Sequence, residues 1–112
     1  MTKQTTGVYS RITRHAAALL GKRIRIARKE RKMTAEDLAD RAGISRGLLQ
    51  RIEKGNLKCQ IGAVFEAATL VGIKLFDADE STLNTMIRHA EEKISLLPKH
   101  VHPGRKVVDD DF

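Results

Sequence analysis

Within the stretch AEDLADRAGISRGLLQRIEKG, residues 35–55, the side chains of Ser45, Arg46, Gln50 and Arg51 and the bare position Gly47 fall at spacings that share one side of a helix. Two guanidinium groups, an amide and a hydroxyl presented together are donors fit for base edges and phosphates. They lie outward only if Leu49 and Ile52, three positions apart, turn inward. The chemistry therefore depends on what holds that helix.

Two short helices joined by a tight turn cross steeply when the contact residue is small, the turn residue takes positive φ, and the inward positions are branched and apolar. Ala39 allows the close crossing, Gly43 supplies the turn, and Leu38, Ile44, Leu49 and Ile52 face the core. The chain has 112 residues, which suits one compact domain. Aromatic residues make up 4% with no Trp, while Ala, Leu and Ile supply most of the apolar mass, so an all-α fold is expected. No stretch resembles a signal peptide or a membrane span: AAALLG at 16–21 stops at Gly21 and runs into dense Lys and Arg, and the expected location is cytoplasmic. The lone Cys59 has no partner for an intramolecular disulfide or a zinc cluster, and reads as a small, partly buried residue.

The net charge of +7 is unevenly spread: residues 1–58 hold 15 Lys/Arg against 5 Asp/Glu, and residues 59–112 hold 6 against 9. Taken alone, KRIRIARKERK at 22–32 is a solvated helix face. Beside a groove-reading motif it becomes an electrostatic footprint for phosphates.

Residues 1–8 have no periodicity and read as a flexible start. From about Tyr9 to Lys32, Ile12, Ala16, Leu19, Leu20, Ile24 and Ala27 recur at helical steps, giving one long helix or two broken near Gly21. Thr34, with Asp37 three residues on in an imperfect capping box, starts a second helix over about 35–42. Ser45 caps a third, to about Lys54, and Gly55 closes it. A fourth covers about Ile61–Val71, with Val64, Phe65, Ala68 and Val71 on one stripe. IKLF at 73–76 is an apolar run that reads as extended, and a fifth helix begins at Ser81 and is halted by Pro98. Residues 9–97 form the helical domain, and the tail 98–112 has no core-forming pattern.

Residues 22–76 resemble the helix-turn-helix domain of the phage repressor and Cro family, the XRE type, whose pattern R..R...K.T...LA..AGIS...L.R.E.G is matched nearly throughout. The resemblance implies a five-helix, phage-repressor-like domain with an extra C-terminal helix, which binds double-stranded DNA and represses transcription. It places Ser45, Arg46 and Gly47 at the start of the recognition helix, with Gln50 and Arg51 one turn on. Arg46 or Arg51 suits bidentate bonding to guanine and Gln50 to adenine, while Leu48 either touches a thymine methyl or is partly buried. Thr34 and Ala35 are implied to present backbone N–H groups to a phosphate. Arg28 and Glu53 match the family's structural ion pair. Gly47 departs from the long polar side chains common there, so base reading rests on fewer contacts.

The remaining patterns are weaker. HVH at 100–102 lacks an acidic or Cys partner for a metal site, and His15 and His89 read as surface residues. No Ser/His/Asp arrangement, glycine-rich phosphate loop or carboxylate pair is visible, so neither enzyme nor cofactor is expected. Leu83, Met86, Ile87, Ala90, Ile94 and Leu97 form a stripe on the fifth helix that either completes the core or meets a second copy. A homodimer on a palindromic operator needs two recognition helices about 34 Å apart, and IKLF pairing as a sheet across the twofold axis is a second possible contact. The closing VVDDDF, with the small basic domain, resembles HipB-like antitoxin regulators encoded beside HipA-like kinase toxins. That resemblance implies an autoregulating antitoxin with a kinase partner. The rivals are a stand-alone or phage-derived repressor and an interaction module that no longer reads DNA.

Overall fold

In a computed structural model that describes residues 8–103, the chain is all-helical, with five α-helices and no strand among the described residues. The expectations for residues 1–7 and for 104–112, including VVDDDF, lie outside the described residues. The helices are α1 (Arg11–Glu30), α2 (Ala35–Ala42), α3 (Arg46–Glu53), α4 (Ile61–Leu70) and α5 (Glu80–Leu96), with a 3-10 turn at Leu75–Asp77. Two compact units divide the chain: Met1–Asp77 holds α1 to α4, and Ala78–Phe112 holds α5.

In the first unit, α1 is one unbroken helix. Ser10 opens it by accepting the Thr13 N–H on its hydroxyl at 3.3 Å. Gly21 does not break the helix, because its i to i−4 bonding continues and its missing side chain serves packing. A Cβ there would stand 2.6 Å from the Glu53 carbonyl oxygen and closer still to that of Ile52. At this point α1 lies directly against the backbone of α3. Ile24, Leu38, Ala39, Leu49, Ile52, Ala67, Ala68 and Val71 are buried together as the core, with Leu20, Ala27, Ile44, Leu48 and Val64 partly buried against it. Ile24, Leu38 and Leu49 are fully enclosed, and each such side chain contributes roughly 1.5–3 kcal/mol relative to exposure. α2 packs on both α3 and α4, and α3 packs on α1. The alanines 39, 67 and 68 are what allow eight- and ten-residue helices to approach closely.

The apolar residues that recur along α1 divide: Leu20, Ile24 and Ala27 pack on the core, whereas Ile12 is 76% and Leu19 51% exposed. At about 100° per residue the set spans an arc of roughly 140°, wide enough to reach both the core and solvent. The IKLF segment is not extended. Its end enters the 3-10 turn, where Phe76 (φ 58°) and Asp77 (φ 53°) are left-handed, a conformation that cannot continue a strand. A sheet across a twofold axis is therefore ruled out at this segment.

In the second unit, α5 opens one residue before Ser81. Asp79 is its cap, its carboxylate accepting the Thr82 N–H at 2.9 Å. Leu97 leaves the helix with ψ 157°, as the residue before a proline is driven to do. No residue of α5 is buried.

Candidate nucleic-acid interface

α2, its turn and α3 are built by local bonds that the sequence supplies in order. Thr34 and Asp37 form a complete capping box: the Asp37 N–H donates to the Thr34 hydroxyl at 3.0 Å, and the Thr34 N–H donates to the Asp37 carboxylate at 3.1 Å. That backbone N–H holds the Asp37 carboxyl below the usual carboxylate range. A depressed folded value means the cap is at full strength above the ordinary aspartate range and is lost as pH falls through the folded value. α2 ends at Gly43, whose φ of 69° is open to glycine without strain, and the Ile44 N–H reaches back to the Ala39 carbonyl at 3.0 Å. Ser45 then starts α3, its hydroxyl accepting the Leu48 N–H at 3.0 Å.

One side of α3 is closed. Leu49, Ile52 and Glu53 are buried, and Leu48 is half-buried against the core. The other side is open, with Ser45, Arg46, Gly47, Gln50 and Arg51 all exposed. At Gly47 the nearest heavy atom to an added Cβ is Nη1 of Arg51, 3.7 Å away. The Arg51 guanidinium thus leans back one turn over the bare position. The i, i+4 spacing carried that signal, although the sequence alone did not single it out. Thr34 is exposed and Ala35 half-buried at the start of α2. Lys54 and Lys58, also exposed, follow α3 and extend the positive surface beyond the residues named from sequence. The chain between them turns at Asn56, whose side-chain oxygen accepts the Lys58 N–H at 2.7 Å.

Arg28 of α1 and Glu53 of α3 form a bidentate pair, Nε to Oε2 at 2.7 Å and Nη2 to Oε1 at 3.0 Å, and both residues are 8% exposed. Nη1 of Arg28 also donates to the Met33 carbonyl at 3.0 Å. One guanidinium therefore ties the end of α3 to α1 and to the entry of α2. The hydrogen bond to Glu53 raises the Arg28 pKa from its ordinary value, against the opposing effect of burial. An acid near a helix C-terminus is unfavourable alone, and the partner cation supplies the compensation. Beside this pair, Gly21 is the positioning residue that sequence reasoning missed; a glycine mid-helix was its only signal.

The dimerisation residues named from sequence are in the second unit. Met86 (46% exposed), Ile87 (53%) and Ile94 (68%) face solvent, and Leu83 is half-buried. His100 and His102 are exposed, and no group of three His, Cys, Asp or Glu side chains among the described residues is placed to hold a metal. No helix among those residues is long and apolar enough to cross a membrane. Residues 19–80 match a family model described as a helix-turn-helix domain. No curated protein and no solved structure matches the chain.

Proposed function

The chain belongs to the helix-turn-helix domain family, and from that premise we propose that it is a sequence-specific transcriptional repressor that reads double-stranded DNA through α3. The observation that carries this reading is the division of α3 into a buried side, Leu49, Ile52 and Glu53, and an open donor side, Arg46, Gln50 and Arg51. A buried side fixes the helix rigidly enough to enter a major groove, and the open side carries the groups that distinguish base edges there. Arg46 or Arg51 bonds guanine and Gln50 bonds adenine, with Ser45, Arg46 and Gly47 at the start of the helix, where bases are met. Thr34 and Ala35 present the first N–H groups of α2 to a phosphate. The lysines and arginines of residues 1–58, apart from the buried Arg28, supply the sequence-independent attraction.

The repressor works as a homodimer on a palindromic operator, with Leu83, Met86, Ile87 and Ile94 as the twofold contact. The exposure of Met86, Ile87 and Ile94 supports this assignment. A narrower reading, an autoregulating antitoxin that binds a HipA-like kinase, rests on the resemblance of the closing VVDDDF.

Selection from random duplex DNA, followed by titration at several salt concentrations, tests the main reading. A palindromic site should emerge, with an affinity that falls steeply with salt at a slope of about 0.9 per neutralised phosphate. Arg46→Ala or Arg51→Ala should each cost roughly 1–3 kcal/mol and relax preference at one base position. A flat salt response, or unchanged preference in both variants, overturns it. For the antitoxin reading, deletion of residues 105–112 should leave operator binding intact and weaken capture of a co-expressed kinase encoded beside this gene; equal capture by the truncated chain removes that role from the tail.

A further inference from the structure

α1 has a second face that the core does not use. Ile12, Leu19 and Ile26 recur at intervals of seven residues and are 76%, 51% and 56% exposed. Gly21, which lies on the backbone of α3, marks the inward side of the same helix. At about 100° per residue, Ile12 stands roughly 180°, Leu19 roughly 160° and Ile26 roughly 140° around the helix from Gly21. The three apolar side chains therefore form a straight seam, about 21 Å long, on the side of α1 that faces away from α3. Ala16 lies between them and keeps the seam open.

The charges beside the seam are nearly all positive, with Arg23 on its far edge and Glu30 in line with it at the C-terminal end. Arg11, Lys22 and Lys29 fall along one edge of it, and of the seven Lys/Arg across Arg11–Glu30 only Arg28 is buried in a pair, against the single Glu30. We infer that this outer face of α1 is a docking seam for an acidic amphipathic helix of another protein, separate from the surface that reads DNA. Apolar residues at seven-residue intervals pack as knobs against a partner helix whose own apolar residues repeat in the same way. The basic edge selects acidic flanks on that partner. A second copy of α1 is the wrong occupant, because it sets a second edge of Arg11, Lys22 and Lys29 against the first. A lipid surface is a poor one: three large side chains in a narrow line, with no aromatic among them, bury little area in an acyl layer. Because the seam faces away from α3, a bound partner leaves the side chains of Arg46, Gln50 and Arg51 open.

The test uses the full chain and a labelled synthetic helix of three heptads, with leucine at the two core positions of each heptad and glutamate at the flanking ones, followed by fluorescence anisotropy. The glutamate peptide should bind, and a peptide with lysine at the flanking positions should bind at least about tenfold more weakly. Leu19→Asp should weaken the glutamate peptide by about tenfold or more, while the circular dichroism melt and duplex DNA binding stay as in the parent. Ile12→Asp, at the more exposed position, provides the same comparison should Leu19→Asp disturb folding. Any of these results overturns the inference: equal binding of the two peptides, no loss in either variant, or a parent dimer in sedimentation that Leu19→Asp converts to monomer, which gives the seam to a second copy. Binding of the parent, but not Leu19→Asp, to phosphatidylglycerol vesicles in place of the peptide overturns it in favour of a membrane.

Discussion

α3 and α5 differ in a way that helix length does not foretell. α3 has eight residues, too few to persist alone in water, yet Leu49, Ile52 and Glu53 are enclosed and its first turn is capped by Ser45. α5 has seventeen residues, a capping Asp79 and an apolar stripe of its own, and none of its residues is buried. The short helix is held by what it meets: the bare Gly21, the Arg28 guanidinium and the side chains of α2. The long one has much of its apolar stripe left for something else. Burial in this chain follows the chemistry of the contact, not the strength of the periodic pattern.

The largest break in the comparison comes at Glu53. Glu53→Ala removes one half of a buried, doubly hydrogen-bonded pair and strands the Arg28 charge, at a cost of roughly 3–5 kcal/mol. Chemical denaturation should show this loss, and a midpoint unchanged from the parent would mean that the pair is solvated in solution. Gly21→Ala comes next. Its methyl group would meet the Ile52 and Glu53 carbonyl oxygens, so α1 and α3 must separate, with an expected loss of about 1–3 kcal/mol. An alanine in a helix interior is otherwise favourable by about 0.5–1 kcal/mol. A stabilised Gly21→Ala would show that the close approach of α1 to α3 is absent.

Much of this was legible in the sequence, and the exceptions have specific causes. The turn from α2 to α3 was readable because each step uses a residue with few substitutes: the Thr34 cap, the small Ala39, Gly43 at positive φ, the Ser45 cap. The outward side of α3 followed once Leu49 and Ile52 were assigned inward. The role of Gly21 was hidden because a mid-helix glycine looks the same whether it weakens a helix or admits a neighbour's backbone. Ile12 and Leu19 recur in register with the core residues of α1 yet stay exposed, because an apolar residue in helical register does not say which of two faces it serves. The IKLF run gave a strand signal from composition, and the left-handed turn at Phe76 and Asp77, without a glycine, had no local sign.

A smaller effect is expected at Gly47. Its open side meets only the Arg51 guanidinium, at ordinary contact distance, so Gly47→Ala should stabilise the fold by about 0.5–1 kcal/mol through helix propensity alone. It should also weaken operator binding if the backbone at 47 or the inclined Arg51 approaches DNA. A thermal melt and a duplex titration on the same variant separate the two outcomes. Tighter melting with unchanged DNA affinity would place the contact elsewhere along α3.

The smallest expected change in folding, and the sharpest check on the comparison, is at Ile87 of α5. A residue 53% exposed on a helix with no buried positions has little to lose within its own chain. Ile87→Asp should therefore shift the folding free energy by no more than about 0.5 kcal/mol, measured at protein concentrations where both parent and variant are monomeric. Working at that dilution matters, because association stabilises a folded dimer by mass action and would masquerade as a folding effect. At higher concentration the two should part: if Ile87 and Ile94 meet their copies across a twofold axis, an unpaired carboxylate in that apolar contact is strongly disfavoured and sedimentation should give monomers. Binding to a full palindrome should then drop towards that of a half-site, while the half-site affinity, set by α3, stays where it was. A variant that unfolds at low concentration would instead return α5 to the core, and the contrast between the two helices would fail.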